Sequence, residues 1–266
     1  MLSVLRQEIF KQLHQKTFLV FTAIITFSPL ALALLLSIIP GRTILDNAYT
    51  FTSNDGLLSP FLFLFMLIEF AQIITSEFQF DTIKVQVAKG NSRLAIFFGK
   101  VTTLVFDFIV WTIFGTLMTI VTSFIFGYTK HFGQTNHSAY LKIPKHFFQQ
   151  IIEGSVPNFM VIFLIGGLIL LISTLLKSNA IAITLGVVSW LAGQIINGIL
   201  MQYFYESFHF VKYNLFNVIV YWPLQFFDEK VASISRLSNN EMIITWTVWV
   251  VLLYGIAVIS FKKRNL

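Results

Sequence analysis

Residues 77–100 read EFQFDTIKVQVAKGNSRLAIFFGK, and this stretch decides how the rest of the chain is arranged. Lys84, Lys89, Arg93 and Lys100 lie there among Phe78, Ile83, Val87, Leu94 and Phe97 at helical spacing. Gly90-Asn91-Ser92 interrupts the run, so the spacing predicts a helix, a turn, and a second helix that starts at Ser92 as N-cap and runs into the next apolar segment. Apolar sequence flanks the stretch on both sides. A basic helical hairpin between two apolar spans suits the cytoplasmic face of a membrane, where Lys and Arg accumulate.

The composition points the same way. The 266 residues are 56% hydrophobic and 11% charged, whereas a soluble domain carries about 25% charge. So few charges cannot cover a water-facing surface, and the bilayer is the natural solvent for one membrane domain, residues 1–266. The chain has no Cys, which excludes disulfides and thiolate chemistry. Its net charge of +6 is distributed by topology, so nucleic acid is not an expected partner. Usage rich in Phe, Ile, Lys and Asn points to a low-GC bacterial source.

Six spans are expected at residues 17–39, 57–76, 101–127, 157–176, 180–200 and 242–261, each meeting the ~20 residues that ~30 Å of hydrocarbon requires. Residues 1–16 place Leu2, Leu5, Ile9 and Leu13 on one stripe, which predicts an amphipathic helix lying in the headgroup plane. With the N-terminus inside, the inner segments hold eleven cations and three acids, and the outer segments seven of each. Both termini are therefore expected in the cytoplasm. Lys177-Ser178-Asn179 makes the fourth and fifth spans antiparallel neighbours. Outside, residues 40–56 are expected to be irregular, and a short surface helix is expected around His146–Glu153.

The outer connection 201–241 contains Leu215–Phe227, LFNVIVYWPLQFF, an apolar run too short to span. Pro223 predicts a break between two short helices tucked between the outer ends of the spans.

Catalytic signals are missing. No Walker A spacing occurs, so ATP hydrolysis would have to come from another chain. The five His are scattered, and no metal site is expected. Two carboxylates lie inside spans, Glu69 and Asp107, where a charge costs ~2.5–3.5 kcal/mol on insertion scales. Each is either part of a substrate path or a hydrogen-bonded staple between spans. The fifth span places Ala182, Gly186, Ser189, Gly193 and Asn197 on one face. That face suits close helix contact within the chain, or a dimer interface or path wetted by Gln194 and Asn197.

The hairpin resembles the second-to-third-span loop of type-2 ABC transporter permeases. The pattern matched is Glu77 ending a span, Asp81-Thr82-Ile83-Lys84, Ser92-Arg93, then Gly99-Lys100 opening the next span. Asp81 stands where the family has Gly. The resemblance implies an all-α, six-span permease subunit in a bacterial cytoplasmic membrane, paired with a second permease chain and two copies of a cytosolic ATPase that binds ATP and Mg. It implies ATPase coupling through Glu77, Asp81, Thr82, Lys84, Lys89, Ser92 and Arg93. It also implies a path along the second span, where Glu69 and Gln72 lie, and re-entry of the outer connection, with Trp222, Pro223 and Phe226 as an outer gate. Within the family the loop is most similar to exporters of amphipathic or antimicrobial peptides and to immunity permeases. A permease moving a lipid, drug or ion, and a membrane sensor or scaffold without transport, remain open alternatives.

Overall fold

The computed structural model describes residues 2–37, 58–125, 147–225 and 229–264. Among them there is no strand. The helices are α1 (Leu2–Leu13), α2 (Lys16–Ser37), α3 (Leu58–Gln79), α4 (Thr82–Ala88), α5 (Arg93–Ile125), α6 (Phe147–Leu175), α7 (Asn179–Ile199), α8 (Leu215–Gln225), α9 (Ala232–Ser235) and α10 (Asn239–Lys263). Six helices, α2, α3, α5, α6, α7 and α10, are long and apolar enough to cross a membrane. The loops expected at 40–56 and across 128–146, together with Phe226 and Phe227, lie outside the described residues.

An apolar solvent offers backbone groups no hydrogen bonds, so long helices that satisfy themselves are the natural element. Several hydroxyls in these helices follow the same rule. Thr22, Thr75, Thr102, Thr119 and Thr184 each donate to the carbonyl four residues back, leaving no hydroxyl proton exposed to hydrocarbon. Two helix starts are closed by side chains. The Ser178 hydroxyl accepts from Ile181 N, and Ser238 with Glu241 forms a capping box at the start of α10.

The described residues gather into two compact units, one of Met1–Glu8, Met66–Leu104 and Phe159–Leu266, the other of Ile9–Phe65 and Val105–Asn158. In the first, glycines set the helix spacing. A Cβ on Gly166 would lie 2.4 Å from the Phe70 ring, and one on Gly193 2.1 Å from Phe216. Gly186 faces Ile169, with an added Cβ 3.2 Å away. The small-residue face of α7 therefore packs inside its own chain, with Ala182, Gly186, Gly193 and Asn197 buried. In the second unit, fully buried Trp111 donates to the Thr22 hydroxyl at 2.8 Å and packs against Phe18, Phe21 and Phe65.

Two sequence expectations are corrected here. The short helix expected around His146–Glu153 is the beginning of α6, which continues through Pro157. The break expected at Trp222–Pro223 does not occur, because α8 is helical through Pro223 to Gln225. The proline lies in the last turn, where its missing N–H removes one hydrogen bond. Buried Gln225 holds that end by donating to Leu237 O at 2.8 Å and Asn239 Oδ1 at 2.9 Å.

Candidate functional site

The hairpin forms as its residues dictate. α4 occupies Thr82–Ala88, and Gly90 turns the chain at φ 85, a conformation glycine takes without strain. The Ser92 hydroxyl then accepts from Ala95 N at 3.2 Å to start α5. Asp81, at φ 54, occupies the left-handed region where Gly is the usual residue, and it pairs with Lys84 at 2.9 Å. Asp is among the few side chains that tolerate that geometry.

Beneath the hairpin lies a buried charge cluster. Lys100 Nζ, 1% exposed, donates to Glu77 Oε1 at 2.9 Å and to Glu8 Oε2 at 3.0 Å. α4 completes the cluster with two residues four apart. The Thr82 hydroxyl donates to Glu77 Oε2, and Gln86 Nε2 donates to Glu8 Oε1 at 2.8 Å. Each of the four carboxylate oxygens thus receives a donor, the condition under which a buried ion pair can hold. Ile83, on the same helix as Thr82 and Gln86, is 1% exposed. One side of α4 is consequently spent on docking.

The other side faces outward. Asp81, Lys84, Val85, Ala88 and Lys89 are exposed, and Val85 keeps 55% of its surface open. The seven residues implied in ATPase coupling divide accordingly. Glu77 belongs to the buried cluster and Thr82, itself exposed, donates into it, while Asp81, Lys84, Lys89 and Ser92 lie at the surface. Arg93 does neither. Its Nη1 donates to Lys262 O and Arg264 O, both at 2.7 Å, and so caps the C-terminus of α10. Arg264 extends this clasp, donating to Thr174 O at 2.6 Å and lying 3.6 Å over the Phe78 ring. Burial pulls the Arg264 guanidinium below its ordinary pKa.

The residues assigned to a substrate path are not presented alike. Glu69 is buried and Gln72 half-buried on α3. Asp107 is fully buried and accepts from Gln12 Nε2 at 2.8 Å through Oδ2. Asn197 is buried and accepts from Asn214 Nδ2 at 3.0 Å, whereas Gln194 is exposed.

Around α8, of the three residues assigned to an outer gate, Trp222 is 3% exposed and Pro223 half-buried, with Phe226 outside the described residues. The apolar run is covered, with Leu215, Val218 and Ile219 buried. Two fully buried amides hold the segment. Asn217 donates to Lys212 O and Ser235 O, and Gln225 accepts from the Ser235 hydroxyl at 2.6 Å. Lys212 pairs with Glu241 at 3.0 Å, and that hydrogen bond is the largest effect raising the ammonium above its ordinary pKa.

Sequence reasoning missed Glu8 and Gln12. With Val4 they form the buried stripe of α1, whereas Leu13 is exposed and Leu5 and Ile9 half-exposed. Their signal was available as two polar residues at i, i+4 among basic neighbours. Among the described residues no cluster of three or more His, Asp or Glu is suited to a metal. No protein-family model and no curated protein matches the chain.

Proposed function

We propose that this chain is the membrane-spanning subunit of an ABC exporter, with the exposed side of α4 as the docking surface for a separate cytosolic ATPase. The observation that carries the reading is the two-sided hairpin. Its inner side is pinned by an ion cluster whose four carboxylate oxygens each receive a donor, and its outer side offers Lys84, Lys89 and Val85. A rigidly seated basic and apolar surface is what force transmission needs. Movement imposed on α4 reaches α3 through Glu77, α5 through Lys100 and α1 through Glu8. ATP-driven closure of the ATPase would thus rock the helices that hold the cluster.

In this reading both termini are cytoplasmic, and the apolar stripe of α1 lies in the headgroup region. α8, with eleven residues, is too short to span. It re-enters from the outer side and caps the path as a gate. Amphipathic or antimicrobial peptide is the cargo class the loop's resemblance favours, with an immunity role included.

The test is enzymatic. The chain purified from native membranes in mild detergent should bring an ATP-hydrolysing subunit with it, and Lys84→Glu with Lys89→Glu should remove that activity while the chain still inserts. An absence of ATPase activity, or activity indifferent to both substitutions, would favour the sensor or scaffold reading.

A further inference from the structure

We infer that the turn following α7, with Arg236 beside it, is a phospholipid-binding site in the leaflet where that span ends. The inference goes beyond transport and needs only that α7 crosses the bilayer. The apolar segment Asn179–Phe204 has 26 residues, about 39 Å of helix against ~30 Å of hydrocarbon. Its last residues therefore lie among the headgroups. Lys212 bonds Glu241 in the first turn of α10, so a second span ends at the same level. Five of the nine residues 202–210 are aromatic, and all nine except Tyr205 are exposed. Phe210 and Tyr203 are the most open large apolar side chains among the described residues, at 71% and 69%. Phe208 lies against Phe210, with ring centroids 5.9 Å apart. Water would make such exposure costly, whereas the headgroup layer is where aromatic side chains collect.

A cation supplies the other half of the site. Arg236 is exposed, and its guanidinium carbon lies 5.4 Å from the centre of the Tyr205 ring, within cation–π range. His209 packs on the same ring at 5.4 Å between centroids. Among the described residues no carboxylate pairs with Arg236, the exposed Glu206 of the same turn included. A guanidinium seated on an aromatic face at headgroup depth fits a lipid phosphodiester, which it engages through two N–H groups. Phe208 and Phe210 would then lie along the upper part of the acyl chains. The charge and the aromatic side chains thus match the two chemically distinct parts of one lipid.

The test uses the absence of native Cys. A fluorophore is attached at Phe208→Cys or Phe210→Cys, with exposed Lys89→Cys as the control, in nanodiscs of phosphatidylglycerol. The quenchers are brominated phosphatidylglycerol, brominated diacylglycerol at equal content, and aqueous iodide. Brominated phospholipid should quench at 208 and 210, and iodide should quench strongly at 89 alone. At 210 the phospholipid should quench about fivefold more efficiently than diacylglycerol, the weight of one cation on a lipid phosphate. Arg236→Gln should bring that ratio close to unity, whereas Tyr205→Phe, which keeps the ring under the guanidinium, should preserve it. Iodide quenching at 208 and 210 as strong as at 89 would overturn the inference. So would no quenching there by any of the three, the mark of a protein partner, or a phospholipid preference that is missing or survives Arg236→Gln. Those outcomes leave the ATPase assay on Lys84 and Lys89 unaffected, so the two readings fail separately.

Discussion

Removing the central cation of the buried cluster gives the sharpest structural test. Lys100→Met keeps the length of the side chain and leaves Glu8 and Glu77, 5% and 1% exposed, without their shared ammonium. Deleting one partner of a buried ion pair costs about 3–5 kcal/mol, because the remaining charge is stranded away from water. For a chain of this size, each kcal/mol moves the thermal midpoint by about 2–4 °C. The single variant should therefore aggregate roughly 6–20 °C earlier on heating in detergent, followed by size-exclusion chromatography. Adding Glu8→Gln and Glu77→Gln to Lys100→Met removes the stranded charge and leaves groups that Gln86 and Thr82 can still bond. That triple variant should recover most of the loss. A single variant within about 1 °C of the parent, or a triple variant as unstable as the single, would refute the reasoning.

Gly166→Ala should destabilise by about 1–3 kcal/mol, since its new Cβ would meet the ring of Phe70, itself 1% exposed, at 2.4 Å. Gly255→Ala, with nothing within 4 Å, should be neutral or gain up to ~1 kcal/mol from helix propensity; thermal midpoints of the two decide it. Arg264→Ala removes the clasp on Thr174 O and Phe78, so amide hydrogen exchange should rise at the end of α10 and leave α8 unchanged. The Lys212 pKa is raised above 10.5 in the folded chain, so the stability it contributes is complete below that value and is lost as pH rises through the folded pKa. Melting should be flat from neutral to mildly alkaline pH, with an alkaline decline that Lys212→Met diminishes.

The helical architecture was legible because apolar length is a local property. The hairpin was legible for the same reason, since Gly90 and Ser92 state their backbone demands in place. The burial of the cluster was not. Lys100 bonds Glu8 across 92 residues of sequence, and no local pattern encodes a partner so distant. The docked side of α1 was hidden for a related reason. Its Leu and Ile stripe satisfies an amphipathic pattern, yet the docked side is Val4, Glu8 and Gln12, and polar residues are buried only where a partner meets them. Arg93 reads as a docking cation in the sequence, but the C-terminal carbonyls of α10 engage it, so charge reversal there probes the clasp. Pro223 reads as a break, whereas two buried amides hold α8 through it.

The central claim is that the exposed side of α4 meets an ATPase, and position-specific photo-crosslinking from Lys89 tests it most directly. Lys89 is exposed, and a photoreactive side chain there leaves the buried cluster untouched. In native membranes the account predicts one dominant protein adduct, a soluble chain carrying a Walker A sequence, lost when Lys84→Glu is added. Adducts with lipid alone, or with a protein lacking a nucleotide-binding site, would contradict it.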